Sequence, residues 1–191
     1  MKKLFVLLFA SLLCLMLMCC SGNVNAHVST DSEKPDSAET GDFVTHDFAH
    51  FSISTPREFA TTSDATSDNV RFSSDTVHVL ADGSEFSSSA YIDAYFFPDG
   101  AILGKLQETA TTMKLSEEAK GETCEEPQIE GNLITMRTWH ASDDGDKVIT
   151  WRFWLVSPDG RNVGGQIYFS DMEESFYEPM VTDIIHSVRI K

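Results

Sequence analysis

The stretch at residues 148–156 constrains the fold more than any other part of this sequence. On the two-residue repeat of a β-strand, one of its faces is wholly apolar and consists of Ile149, Trp151, Phe153 and Leu155. The opposite face carries Val148, Trp154 and Val156. A strand that is apolar on both faces has to be covered on both. We therefore predict that this strand lies in the middle of a sheet, between two layers of the protein.

The neighbouring stretches predict the rest of this sheet. Residues 133–140 and 163–169 have the composition of strands, and the connections to them contain Asp, Gly and Pro, which favour turns. Short connections of this kind join antiparallel strands, so we expect a three-stranded meander. Gly164 and Gly165 fall inside its last strand and indicate either a bulge or close packing.

Alternation of apolar and polar residues predicts four shorter strands nearer the N-terminus of the domain. They are centred on Phe51 and Ile53 before Pro56, on Val70 and Phe72, on Val77 and Val79, and on residues 91–97. In the last of these strands, Tyr91, Asp93 and Tyr95 share one face.

Two segments have apolar residues at helical spacing and can cover the sheet. The stripe of the first consists of Ile102, Leu106, Ala110 and Met113, and that of the second consists of Met180, Val181, Ile184, Ile185 and Val188. For the first helix we expect Asp99 as the N-cap and Gly121 as the stop. For the second we expect a capping box of Ser175 and Glu178, with Pro179 near the first turn. Together, the helices and the antiparallel sheet predict an α+β fold, built as an α/β/α sandwich.

The order of these elements resembles a known family. Residues 51–54 before a proline, the segment Ile129, Glu130, Gly131, Asn132 that opens the meander, and the closing residues 184–190 look like the PsbP and DcrB superfamily. The similarity covers residues 48–191. That family implies an α/β/α sandwich with a central antiparallel sheet, found in the extrinsic P subunit of photosystem II and in bacterial envelope lipoproteins. Its members act by binding or by supporting protein assemblies, and the resemblance implies no shared catalytic residues.

The first residues have the pattern of an export signal. An apolar run follows Lys2 and Lys3 and ends at Cys19 and Cys20. It is shorter than the roughly 20 residues that a transmembrane helix needs. We expect residues 1–20 to be a signal peptide with a lipobox, in which Leu17 and Ser21 flank a cleavage before Cys20, and we expect a lipid on the Cys20 thiol.

A second processing route competes with lipidation. Val24, Asn25 and Ala26 satisfy the small-x-small rule, and cleavage after Ala26 would release a soluble protein to the periplasm or the medium. Residues 21–42 are rich in Ser, Thr and acidic residues, so we expect a flexible tether there. A single domain over residues 43–191 follows. In the lipidated form, this domain is held at a membrane of the cell envelope.

The charge of the chain bears on its partners. A formal net charge of −16 repels phosphate backbones and argues against nucleic-acid binding. Such a surface serves either simple solubility or the docking of a basic protein.

The residues that could form a catalytic or metal site do not meet the requirements of that chemistry. Cys124 is the only cysteine outside the leader, and its acidic neighbours Glu122, Glu125 and Glu126 are expected to raise the pKa of its thiol. His46 and His50 are four residues apart on a predicted strand, about 13 Å from one another, which is too far to share a metal ion. We therefore expect no catalytic residue, metal or cofactor.

Two other motifs have ordinary explanations. The acidic loop at Asp143, Asp144, Gly145 and Asp146 lacks the spacing of a calcium site and predicts a hairpin turn. The serines at positions 87, 88 and 89 have no G-x-S-x-G elbow around them.

These observations together predict a non-catalytic envelope lipoprotein whose domain binds or supports a protein partner. The alternative is a small-molecule or glycan binder with an aromatic groove, for which the candidates are Trp139, Trp151 and Trp154. Their alternation within strands favours core packing over ligand contact.

The lipid anchor is tested by Cys20→Ala in the full-length protein. The wild type should stay in the membrane fraction, because each buried acyl CH₂ contributes about 0.8 kcal/mol. The variant should move to the soluble fraction, whereas the control Cys19→Ala should not. Intact mass of the mature protein gives the cleavage site and the lipid. A mature chain that begins at residue 27, or an unchanged partition of Cys20→Ala, contradicts lipidation.

Overall fold

The structure is a computed structural model, and it describes residues 43–101, 103–143 and 145–191 of the chain. The expected signal peptide, the lipidation site Cys20, the alternative cleavage at Ala26 and the tether lie outside the described residues, as do Ile102 and Asp144. No helix within the described ranges is long and apolar enough to span a bilayer.

The described ranges contain thirteen strands and two α-helices. The strands are β1 Phe43–Asp47, β2 Phe51–Pro56, β3 Phe59–Thr61, β4 Asn69–Ser74, β5 Val77–Val79, β6 Glu85–Ser87, β7 Tyr91–Phe97, β8 Thr123–Cys124, β9 Gln128–Glu130, β10 Leu133–Ala141, β11 Lys147–Val156, β12 Asn162–Ser170 and β13 Arg189–Ile190. The helices are α1 Leu106–Glu118 and α2 Glu174–Ser187, each preceded by a short 3-10 turn.

The strands form three antiparallel sheets. The central sheet has eight strands in the order β3-β4-β7-β12-β11-β10-β8, with β9 also paired to β10. A small sheet has the order β1-β2-β13, and β5 and β6 form a separate hairpin. The predicted meander is confirmed, since β10, β11 and β12 pair in sequence order.

The middle strand β11 is buried as its composition predicts. It pairs along its whole length with β10 and β12. On one face, Ile149 and Phe153 are at most 1% exposed, and on the other face Val148 and Val156 are also buried. We call these the α2 face and the α1 face, after the helix that lies on each.

The two faces have different covers. On the α2 face, α2 packs on β11 and β12, and it also contacts β2 of the small sheet. Phe51 and Ile53 of β2 belong to the same buried core, so helix and small sheet together form this layer. On the α1 face, α1 packs against β8, β9 and β10. The predicted sandwich of an antiparallel sheet between two helices is confirmed, and the small sheet is an addition to it.

The predicted helix starts were wrong. The N-cap position of α1 is Lys105 rather than Asp99, because the 3-10 turn Leu103–Lys105 precedes the helix. The capping box before α2 is formed by Ser170 and Glu173, five residues earlier than predicted, so Pro179 lies inside the helix. The predicted stop was right: Gly121 has a φ of +92° and donates a hydrogen bond to the Glu118 carbonyl at 3.0 Å.

The two glycines of β12 allow close packing, one of their two predicted roles. They lie opposite Trp154 and Phe153 in an uninterrupted register, so there is no bulge at this point. A Cβ on Gly164 would overlap the Trp154 ring, and a Cβ on Gly165 would overlap the Asp93 carbonyl oxygen and the Phe153 ring.

We expect Gly165→Ala to lower the free energy of unfolding by about 1–3 kcal/mol, the usual cost of overpacking a core. The backbone oxygen of Asp93 is one of the two groups it meets, and this atom cannot rotate away. Gly104→Ala is the matched control, since a Cβ there meets nothing within 4 Å and Ala suits helical backbone better than Gly. Urea denaturation of both variants checks this; equal stabilities would contradict the close packing.

Candidate functional site: an open tyrosine surface and a tryptophan groove

Helix α1 leaves one end of the α1 face open. It lies over the end of the central sheet formed by β8, β9 and β10, while β4, β7 and β12 lie toward the other end. The register of these three strands brings four large side chains onto their open face: Arg71, Tyr91, Tyr95 and Tyr168. The three tyrosines are half-buried and the Arg71 side chain is 58% exposed. We call this group the tyrosine surface.

A row of hydrogen-bonded polar side chains runs across the sheet beside these tyrosines. Arg71 donates two hydrogen bonds to the Asp93 carboxylate, at 2.6 and 2.7 Å. Gln166 donates to the same carboxylate at 3.0 Å and accepts from Arg152 at 2.9 Å. Arg152 also forms an ion pair with Glu117 of α1 at 2.8 Å. The row therefore links the open end of the sheet to the helix.

The ion pair of Asp93 with Arg71 stays charged at neutral pH. Burial opposes ionisation of Asp93, but the hydrogen bonds from Arg71 and Gln166 outweigh it, so the pKa of the carboxyl is lowered. The same pairing raises the pKa of Arg71. A bidentate Arg–carboxylate pair also fixes the geometry of the guanidinium.

The tyrosine surface is ordered by aromatic contacts. The Arg71 guanidinium lies 4.4 Å from the centroid of the Tyr91 ring. Tyr91 in turn stacks on Tyr168, with centroids 4.5 Å apart and planes inclined by 13°. Because these side chains are already fixed, they lose little conformational entropy when a partner binds them.

A groove adjoins the tyrosine surface where α1 passes beside β11. Two cavities of about 460 and 180 Å³ share Trp154 and Met113 in their linings. The smaller one also touches Tyr95 and Gln166, so groove and surface meet there. We call the two cavities together the Trp154 groove.

The three predicted tryptophans do not share a site. Trp139 and Trp151 are on the α2 face, whereas Trp154 is on the α1 face. Trp151 packs against the core and donates a hydrogen bond to Glu178 at 2.9 Å. Trp139 lies beside two cations, with the Lys147 nitrogen 4.8 Å from its ring. Trp154 alone of the three lines the groove.

The prediction that the two histidines share one strand was wrong, because His46 lies in β1 and His50 in the bend between β1 and β2. His46 is within 3.1 Å of the Thr55 hydroxyl, and burial lowers its pKa. His50 stacks on Phe96 with centroids 4.5 Å apart. In the described part of the chain, no group of three or more His, Cys, Asp or Glu is placed to hold a metal ion.

The acidic loop between β10 and β11 is a turn, as predicted. Gly145 has a φ of +90°, and the Ser142 amide donates to the Asp146 carbonyl at 2.7 Å.

The predicted direction of the pKa shift of Cys124 is confirmed. The residue is half-buried in the edge strand β8, and burial raises the pKa of its thiol. Glu118, Glu117 and Glu122 also raise this pKa, so Glu122 is the one predicted neighbour among these three residues. A thiol with a raised pKa is a poor nucleophile.

The serines after β6 belong to a buried network that the sequence analysis missed. Ser88 and Ser89 donate to the two oxygens of Glu173, at 2.6 and 3.0 Å. The Ser170 amide and hydroxyl also donate to this carboxylate. Tyr177 joins the network through hydroxyl contacts with Ser88, at 3.0 Å, and with Ser74 and His78. These bonds tie the β5–β6 hairpin to the start of α2.

Together these elements define the class of the protein: an α+β sandwich whose eight-stranded antiparallel sheet has a helix on each face, with one face partly open. No protein-family model and no curated protein sequence matches the chain. Solved structures do match. The Ran-binding protein Mog1p of Saccharomyces cerevisiae has a TM-score of 0.54 at 10% identity, over 78% of this chain and 96% of Mog1p.

Two further solved structures are similar. A point mutant of Mog1 has a TM-score of 0.53 at 10% identity, over 78% of this chain and 96% of the mutant. Cyanobacterial PsbP (CyanoP) from Synechocystis sp. PCC 6803 has a TM-score of 0.45 at 7% identity, over 81% and 96%. The likeness to Mog1p shows that the two chains share a fold, and the α/β/α sandwich that the sequence resemblance implied is confirmed.

The Glu173 network predicts a stability change that depends on pH. Burial opposes ionisation of Glu173, but hydrogen bonds from Ser88, Ser170 and Ser89 outweigh it and lower its pKa. The contribution of Glu173 to the free energy of unfolding is therefore fully present above its unfolded-state pKa of about 4.3. This contribution is lost as the pH falls through the lower folded-state pKa.

Glu173→Gln should cost about 2–4 kcal/mol at pH 7, because it removes a charged acceptor from several buried donors. Urea denaturation at pH 7 and at pH values below 4 should show the difference from the wild type shrinking with acid. Asp171→Asn, in the exposed part of the same turn, is the control and should change little. A difference that is independent of pH would show that Glu173 is not ionised in the native state.

Proposed function

We propose that this protein is an exported envelope protein without catalytic activity, anchored by a lipid on Cys20, whose domain binds a protein partner through the tyrosine surface. The observation that carries the proposal is the open end of the α1 face, where three half-buried tyrosines share the surface with an exposed, fixed arginine. Tyrosine and arginine are enriched among the residues that dominate the binding energy of protein interfaces. Mog1p is described as a Ran-binding protein, so a protein of this fold binds another protein.

The charge around the tyrosine surface indicates the chemistry of the partner. Exposed aspartates flank β4 at both of its ends: Asp64 and Asp68 before it, and Asp75 after it. Residues 43–191 contain 25 acidic and 11 basic side chains, a formal charge of −14. We therefore propose a partner whose contact surface has a polar centre that packs against the tyrosine rings and a basic rim around it. Opposite electrostatic potentials favour the encounter and orientation of two proteins.

The surroundings of the potentially reactive side chains in the described ranges support the proposed absence of catalytic activity. The Cys124 thiol has a raised pKa, and Ser88 and Ser89 donate to a carboxylate that other donors also occupy. A nucleophile needs a base that is free to take its proton. Neither arrangement supplies one.

The docking proposal is tested by photo-crosslinking in the native envelope. A photoreactive residue at Ser73 of the full-length protein stands beside Tyr91 on the exposed face of β4, and one at Thr182 stands on the exposed side of α2. The Ser73 probe should capture one protein that the Thr182 probe does not.

Affinity for the captured protein gives the quantitative arm of the test. Tyr91→Ser should weaken binding about 30-fold, the loss of a side chain worth about 2 kcal/mol. Val79→Ser, which removes an exposed apolar group from the β5–β6 hairpin, should leave the affinity unchanged. Binding should weaken as salt increases. Equal capture at both probes, or equal affinity of the two variants, would overturn the proposal.

A further inference from the structure

The Trp154 groove, which adjoins the tyrosine surface, has the form of a small-molecule site. Its floor is a fixed aromatic plane: Trp154 stacks on Phe97 with centroids 4.8 Å apart and planes inclined by 24°. Gly164 lies directly opposite Trp154 and leaves room for the indole, since a Cβ on Gly164 would overlap the ring. A rigid half-buried indole offers a large apolar face at low entropic cost.

The lining of the groove is mainly apolar, with a few hydroxyl groups, and it is close to neutral in charge. Helix α1 contributes Thr109, Thr112 and Met113. Lys105 and Glu108 are also in the lining, and they pair with each other at 3.4 Å. The larger cavity, about 460 Å³, falls within the range of about 300–1,000 Å³ for small-molecule sites. In a domain with a formal charge of −14, this balanced lining favours a neutral occupant.

Two buried polar atoms beside the larger cavity have no hydrogen-bond partner among the described residues. They are the indole N–H of Trp154, a donor, and Oδ1 of Asn162, an acceptor. The Asn162 carboxamide lies under Gly100, which lines the larger cavity. An unpaired buried polar group costs about 1–3 kcal/mol. A hydroxyl group can satisfy both kinds of atom, because it donates one hydrogen bond and accepts two.

We propose that the Trp154 groove binds a neutral hexose unit, either as a free sugar or as the terminal residue of a glycan. The apolar C–H face of the sugar ring lies on the indole, and its hydroxyls bond to polar groups of the lining. The Thr112 hydroxyl already donates to the Glu108 carbonyl at 2.9 Å, so it is oriented to accept from a sugar hydroxyl. This site does not depend on the proposed protein partner.

The test is a titration of the mature full-chain protein with glucose, galactose, mannose and N-acetylglucosamine, and with their short oligosaccharides. Tryptophan fluorescence and calorimetry should show saturable binding of at least one of them. Tighter binding of an oligosaccharide than of its monosaccharide identifies a glycan end, and equal binding identifies the free sugar. No saturation with any of these sugars would overturn the proposal.

Variants locate the binding in the groove. Trp154→Leu should weaken binding at least about tenfold, or 1.4 kcal/mol, whereas Trp139→Leu on the opposite face should not. Thr109→Val with Thr112→Val keeps the shape of the wall and removes two hydroxyls, so it should weaken binding even if Trp154→Leu fails to fold. Tyr91→Ser should bind sugar normally, which separates this proposal from docking. Sugar binding that survives both groove variants would contradict the assignment.

Discussion

The architecture depends on a strand that cannot face water on either side. Apolar side chains on both faces of β11 require a cover on each, and the two covers are unequal. On the α2 face, a helix and a small sheet together enclose the core around Phe153. On the α1 face, a single helix of 13 residues is too narrow to cover eight strands. Part of this face is therefore left open, and both proposed binding regions lie in or beside that part.

The chemistry of the open region follows from its position between core and solvent. A charge that is removed from water requires hydrogen bonds in return, and Asp93, which is 1% exposed, receives them from Arg71 and Gln166. The half-buried tyrosines beside this row cover the sheet with their apolar rings. The same side chains that shield the polar row thus present the chemistry that protein interfaces favour.

The sequence predicted the elements whose signal is local. The alternation in β7 and β11 and the turns around the meander depend on neighbouring residues, and these predictions were confirmed. Two Ser-x-x-Glu patterns occur in succession before and within α2, and a local rule cannot choose between them. Ser170 and Glu173 form the capping box because Ser88 and Ser89, more than 80 residues earlier, donate hydrogen bonds to the Glu173 carboxylate.

The candidate site was less predictable because it lies on the part of the central sheet that α1 leaves uncovered. The alternation of Tyr91, Asp93 and Tyr95 was visible, but it could not show whether a helix lies over these residues. The strand order β4-β7-β12 that aligns Arg71, Asp93 and Gln166 joins segments about 95 residues apart. Of the three tryptophans, Trp154 alone has a glycine across the strand pair and Phe97 to stack on, and both relations are set by strand pairing.

The polar row connects the two proposed sites physically. Arg152 contacts both Glu117, on the helix wall of the groove, and Gln166, which reaches toward Asp93 at the tyrosine surface. Helix α1 has one small apolar residue that is fully buried, Ala110, and its Leu115 is 60% exposed. The ion pair of Glu117 with Arg152 is therefore a further contact that holds α1 on the sheet, beside its packing on β8, β9 and β10. The same row of side chains therefore contacts both the helix wall of the groove and the tyrosine surface.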